Sequence, residues 1–340
     1  MVSWGFRVHS MQPRLNRSQK FLRIEDVSEA ADNVDACTEV FRVAQEIEGK
    51  LELGAPTYYV SEEHEEQRES EMAAATELPY FVLEDVKRDD RVIEFRVRIG
   101  RESDHDGLMK RDGSSEPMSE RAAVRRFSVW MVFPAAGDYA FMISETRGRT
   151  YVGELLLQWL TRTLQREAVT VSDKGKKNEG PWLNWKLEPR IDGHRLDGIL
   201  SDSGNHAFKL RRHTVSAAGG RSSYDLELTQ IGLKKTSVEK LLEVIMKMND
   251  RRGKGNEKDR RKQAAKDVLS LVDADVAGVD FTDGEISFTE RGKVQTINAE
   301  TVDRLFVYPL GSKRPSEKKL LSDGLEIVGR IAPTLGVQIG

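Results

Sequence analysis

Three short constellations in this chain hold side chains suited to chemistry on a phosphate or to holding a metal. Asp225 and Glu227 alternate within SSYDLELTQI and share one strand face, with Lys234 and Lys235 soon after. Acids on neighbouring strands can hold magnesium while a nearby lysine helps activate water, which is the arrangement of a metal-dependent nuclease. That reading wants a lysine two residues past an acid, and Thr229 stands there instead. Asp85 and Lys87, in EDVK, do have the spacing, but they run into a turn and lack an upstream acid. The run Asp104-His105-Asp106-Gly107 opens like a calcium loop and lacks both the later acidic ligands and the closing glutamate.

The stronger signatures are missing. GKGNEKDR has glycine and lysine without the spacing, or the preceding strand, of a phosphate loop, and neither GxSxG nor HExxH occurs. Of His9, His64, His105, His194, His206 and His213, no two sit four residues apart, so no helix presents a pair of imidazoles. The single cysteine, Cys37, rules out an intramolecular disulfide and a cysteine-rich zinc site. It lies inside the helical pattern NVDACTEVFRVAQEIEGK, where a thiol is expected to pack rather than react. The sequence nominates no catalytic residue, no metal ligand set and no cofactor.

A basic segment remains. NDRRGKGNEKDRRKQAAKDV, residues 249–268, carries eight Lys or Arg against four acids. Over residues 201–266 there are sixteen against eight, in a chain whose formal net charge is -3. Charge so segregated attracts a phosphate backbone, although no interleaved aromatics are present to stack bases. Gly253 and Gly255 divide the segment. Lys247, Arg251 and Arg252 fall at the end of one helix, where cations meet the negative end of the dipole. A second helix is expected from Asn256 as N-cap, with Ala265, Val268, Leu269 and Val272 on its buried face. Lys258, Lys262 and Lys266 then recur along one edge, at a spacing where like charges cost about 0.2–0.5 kcal/mol per pair. The expected phosphate contacts are Arg251, Arg252, Lys254, Lys258, Arg260, Lys262 and Lys266, binding DNA or RNA without base specificity.

The elements that would carry these residues alternate between strand and helix patterns. SWGFRVHS reads as a strand and residues 28–50 as a helix. YFVLEDVKRDDRVIEFRVRIG reads as two strands about a turn at Lys87–Asp90, and VRRFSVWMVFP and DYAFMISET as two more. The last is apolar on both faces, which places it centrally in its sheet. TYVGELLLQWLTRTLQREA is an amphipathic helix with Thr150 as the expected cap. HAFKLRRHTV and SSYDLELTQI form an expected hairpin with Arg211 opposite Asp225 and Lys209 opposite Glu227. TSVEKLLEVIMKMND begins a helix with capping-box spacing, and Asp283-Gly284 marks a hairpin turn. The fold class is therefore α+β, with largely antiparallel sheets and packed amphipathic helices.

At 340 residues the chain is expected to form two domains, given roughly 100 to 200 residues per domain. The aperiodic VSDKGKKNEGP at 171–181 separates an N-terminal domain, 1–172, from a C-terminal domain, 182–340, that holds the basic helical segment. No run is apolar enough to span a membrane and the N-terminus lacks a signal peptide's core, so a cytoplasmic protein is expected. The function expected is that of a nucleic-acid-associated protein, for instance in a bacterial antiphage-defence or mobile-element system. The alternatives are a protein-interaction subunit, docking through the acidic residues 61–71 or the charged helix, and a divergent metal-dependent nuclease.

Overall fold

The computed structural model describes residues 3–31, 35–53, 79–102, 107–109, 115–117, 122–148, 150–171, 177–196, 207–213, 224–231, 238–251, 256–271, 281–290 and 293–339. The chain divides into two compact units, Met1–Arg190 with Tyr308–Gly340, and Ile191–Val307. The division falls beyond the 171–181 segment, because the strand Leu183–Arg190 belongs to the sheet of the first unit and the chain returns to that unit after Val307. No helix among the described residues is long and apolar enough to cross a membrane.

The first unit is built on a nine-stranded sheet. Its strands are β1 (Trp4–Leu15), β2 (Leu51–Leu53), β3 (Pro79–Asp89), β4 (Val92–Glu102), β7 (Ala122–Val132), β8 (Ala140–Arg147), β9 (Thr150–Tyr151), β12 (Leu183–Arg190) and the returning strand Val307–Gly311. The order is β12-β1-β8-β7-β4-β3-β2, with Val307–Gly311 added to β1 and β9 to β8. Two short ribbons accompany the sheet, β5 (Gly107–Met109) with β6 (Ser115–Pro117), and β10 (Val169–Val171) with β11 (Lys177–Glu179).

Alternation along the strands sends apolar side chains to two cores. Met11, Phe95, Val97, Phe127, Val129 and Met142 face α1 (Ala36–Ile47) and α2 (Gly153–Ala168), with Val40, Val43, Leu156 and Trp159 opposite them. Phe6, Val8, Trp130, Phe141 and Ile143 face the other way, onto Leu320, Val328 and Ile331 of the C-terminal helix Glu317–Ile331. β8 lies between β1 and β7 and is buried on both faces, as its apolar composition predicts.

Charged groups fix the helices. Asp35 caps α1 by accepting from Thr38 N at 3.0 Å, and Arg91 Nη2 donates to it at 2.7 Å. Burial would raise this carboxyl, but those donors outweigh it and hold it below the usual range. Arg42 ties α1 to α2, donating to Glu39 at 2.7 Å and to Glu167 at 2.5 Å. Thr150 does not cap α2. It pairs with Arg147 in the β8–β9 ladder, and the cap position falls to Val152, which supplies no side-chain acceptor.

One buried acid joins the far parts of this unit. Glu145 on β8 is fully buried, and Arg314 grips its carboxylate with Nε and Nη2, both at 2.8 Å. The same carboxylate accepts the backbone N–H of Ser128 at 2.9 Å, just past the point where the β7–β8 ladder ends at Val129 and Ser144. Ser128 Oγ and Arg96 then donate to Glu317 at 3.3 Å and 2.9 Å, fastening the first turn of the C-terminal helix.

Among the described residues the second unit has four strands, β13 (Ala207–His213), β14 (Tyr224–Ile231), β15 (Asp283–Glu290) and β16 (Lys293–Ile297), in the order β14-β13-β15-β16. Two helices, α3 (Val238–Arg251) and α4 (Glu257–Leu269), share one core with it through Leu210, Ile245, Ala265, Val268 and Ile286. The register differs from the expected hairpin, since Arg211 lies opposite Glu227 and Lys209 opposite Thr229. Arg211 forms its ion pair with Glu285 at 2.9 Å, because β13 has a second neighbour, β15, that the hairpin pattern does not reveal. Asp283 and Gly284 do not form a turn either; they open β15. A Cβ on Gly284 would stand 2.7 Å from Ala265 Cα, so the glycine is what allows α4 to lie directly on the strand.

Removing Arg314 leaves a fully buried carboxylate with one backbone donor. Arg314→Ala is expected to lower the unfolding free energy by about 2 kcal/mol in urea titrations, whereas Arg330→Ala, which breaks an exposed pair with Glu326, changes it by less than about 0.5 kcal/mol.

Candidate functional sites

The basic segment is sorted by the fold into inward and outward cations. Asn256 caps α4 as its sequence predicts, its side chain accepting from Lys258 N at 2.9 Å. Ala264, Ala265 and Val268 are buried, whereas Leu269 is half-buried. The arginines turn to acids. Arg251 at the end of α3 pairs with Asp267 of α4, locking the two helices together. Arg260, with its side chain 13 % exposed, donates through Nη2 to Glu300 at 2.9 Å. Arg261 takes Glu257 one turn back at 2.5 Å.

The lysines lie differently. Lys258 and Lys266 are exposed and form no ion pair among the described residues, and Lys262 between them is half-buried with a contact of its own. Of the expected phosphate contacts, Arg251 and Arg260 are thus part of the packing, while Lys258, Lys262 and Lys266 share one helix edge. Arg252, Lys254 and Val272 lie outside the described residues, as do the acidic residues 61–71 and Asp104–Asp106.

Asp225 and Glu227 belong to β14, but their side chains, like Lys234 and Lys235, lie outside the described residues. Among the described residues no group of three or more His, Cys, Asp or Glu is placed to hold a metal ion. Lys87 donates to Asp85 at 2.8 Å within β3, which accounts for that pair on the strand surface. Cys37 is buried in α1, and burial pushes its thiol up to about 11, so it stays protonated and inert near neutrality.

No protein-family model, curated protein or solved structure matches this chain. Its sites must be read from their own geometry.

A buried polar cluster went unseen in the sequence. On the α2 face of β1 and β8, Arg7, His9, Ser144 and Thr146 are all buried, with exposures of 5, 1, 0 and 1 %. Arg7 lies opposite Ser144 and His9 opposite Met142, while Thr146 lies opposite Tyr151 of β9. The Arg7 guanidinium sits 4.3 Å from the centre of the Tyr151 ring. Tyr151 Oη donates to Glu154 Oε1 at 2.6 Å, and that oxygen lies 3.9 Å from His9 Nε2. Both ring nitrogens of His9, and Oγ1 of Thr146, have no hydrogen-bond partner among the described residues. Each unsatisfied group of this kind costs roughly 1–3 kcal/mol. Burial, helped by the charge on Arg7, lowers the His9 pKa to about 3, so the imidazole is neutral near pH 7.

The helix edge and its packing are separable by mutation. Arg260→Ala is expected to cost about 1 kcal/mol of stability, and Lys258→Ala or Lys266→Ala to stay within about 0.5 kcal/mol, as measured by chemical denaturation.

Proposed function

We propose that this chain is a cytoplasmic nucleic-acid-associated protein that contacts the phosphate backbone through the Lys258, Lys262 and Lys266 edge of α4, without reading bases. The observation that carries the reading is the division of labour on α4. Its arginines are drawn to Glu300 and Glu257, and Arg251 of α3 takes its Asp267, while Lys258 and Lys266 stand exposed with no ion pair among the described residues. Cations left on one edge of a rigid helix give sequence-independent attraction whose strength depends on released counterions. With an overall charge of -3, binding would be confined to this edge rather than spread over the surface.

The test is DNA and RNA binding measured against salt for the wild type and for Lys258→Glu, Lys262→Glu and Lys266→Glu combined. Loss of three phosphate contacts is expected to reduce the slope of log K against log salt by nearly three for duplex DNA, at about 0.9 per contact. A triple variant that keeps both affinity and slope would refute the reading. The arginine pairs remain intact in that variant, so folding is checked by the same denaturation curve as the wild type.

A further inference from the structure

Arg42 is shared among three carboxylates where α1 meets α2. Glu39, whose side chain is 1 % exposed, accepts from Nη2 at 2.7 Å and from Nε at 3.2 Å. Glu167, in the last turn of α2, accepts from Nη2 at 2.5 Å and from Nη1 at 3.2 Å. Glu46, in the last turn of α1, stands 3.6 Å from Nη1, beyond hydrogen-bond reach, and shares its hydrogen bond with the Glu167 carboxyl instead.

One positive charge therefore faces three negative ones. Arg166, the cation beside Glu167 on α2, has a contact of its own, and no further cation pairs with Glu46 or Glu167 among the described residues. The strands beneath the two helices meet them with apolar side chains, among them Phe81, Phe95 and Val97. An ionised carboxylate has only acceptors, so two carboxyl groups in hydrogen-bond contact need a proton between them. Two ionised carboxylates side by side repel, and the pair holds one proton to a higher pH than an isolated acid does. Glu167 follows this pattern. Burial pushes its carboxyl above the usual range, and Glu46 adds to the rise against the opposing pull of Arg42.

We propose that Glu46 and Glu167 form a pH-responsive clasp between α1 and α2, closed by a shared proton in mild acid and weakened at higher pH by a repulsion that Arg42 alone does not offset. The direction follows from linkage. A carboxyl that binds its proton more tightly in the folded chain contributes stability that is fully present below its unfolded pKa, and that contribution is lost as pH rises through the folded value. Asp35, at the other end of α1, works in the opposite sense. Its carboxyl is held low, so this cap keeps its charge through the range in which the clasp closes and is lost only in stronger acid. Together the two groups confine the best-held state of α1 to mildly acid pH. The clasp is independent of the α4 edge.

The experiment follows the side-chain carboxyl carbons of Glu46 and Glu167 in the full chain by nuclear magnetic resonance, from about pH 4 to about pH 8, a span that brackets ordinary carboxylate titration. Each signal is assigned by its loss in Glu46→Gln or Glu167→Gln. In the wild type the two signals are expected to move together, with one step above the usual carboxylate range. In Glu46→Gln the Glu167 titration is expected to fall, because the amide removes a charge and leaves Arg42 in place. Thermal unfolding reports on the helices. Glu167→Gln is expected to melt above the wild type at the alkaline end and by a smaller margin at the acid end, where the wild-type pair already holds its proton. Amide exchange in the last turns of α1 and α2, corrected for its intrinsic pH dependence, is expected to slow several-fold from neutral to mildly acid pH in the wild type and not in Glu167→Gln. Ordinary titration of both carboxyls in the wild type, or a melting difference between the wild type and Glu167→Gln that does not change with pH, would overturn the proposal.

Discussion

The first unit depends on how a fully buried carboxylate is satisfied. Glu145 occupies a position on β8 that is sealed on both faces, where a bare charge would cost several kcal/mol. Three donors meet it, two from Arg314 and one from the Ser128 backbone. The last of these substitutes for a ladder bond, so β7 and β8 part where the acid sits. β8 is then free to turn onto β9 at Thr146 and Arg147, and that two-residue pairing delivers the chain to Gly153 at the start of α2. Arg314 lies far along the chain, so the same interaction holds the returning C-terminal segment in place. Replacing a buried ion pair by apolar groups often gains stability, and the more telling consequence here is specificity, since only one seating of the C-terminal helix answers both Glu145 and Glu317.

The divergence of β7 from β8 has an effect on both faces. On one, it makes room for the Arg314 guanidinium. On the other, Ser144 and Thr146 turn to the side where Arg7 and His9 project from β1, beneath the uncapped end of α2. Polar residues fall on both faces of a strand that is otherwise apolar, and they do so within three positions of Glu145. A charge buried on one side and a set of unsatisfied groups on the other occupy the same stretch of backbone, which is where local rules of burial are broken in this unit.

Much of the architecture was legible in the sequence, and the losses have physical causes. The central place of β8 follows from its apolar faces, α2 from its stripe of Leu156, Trp159, Leu160 and Leu164, and the start of α4 from Asn256. Thr150 misleads because a good cap residue can equally pair in a strand, and β9 is too short to show a period. Asp283-Gly284 misleads because glycine serves close packing as well as turns, and the approach of Ala265 is a tertiary fact. The register of β13 on β14 slips from expectation because the length of a turn cannot be read from side-chain charge alone. Cys37 is packed as its helical surroundings imply. The buried cluster around His9 was hidden for a more general reason. Arg7 and His9 alternate with Phe6 and Val8, a pattern that normally means a wet face, and only the position of α2 over β1 and β8 makes that face dry.

The α4 edge was legible in outline, but the chemistry of its cations had to come from the fold. Arginine's planar fork suits fixed carboxylates and bears partial desolvation better than an ammonium, so the arginines at 251 and 260 are the ones drawn into the packing. The remaining lysines are not equivalent. Lys266 sits in the last turn of α4, where a cation is favoured by the negative end of the helix, and so has a structural reason to be there. Lys258 sits in the first turn, where the dipole opposes it, and the acids beside it, Glu257 and Asp259, are the groups that turn prefers. Glu257 is already engaged by Arg261. A cation at the unfavourable end of its helix, exposed and with no ion pair among the described residues, gains little from the fold itself, and that makes Lys258 the residue on which the proposed phosphate contact chiefly rests.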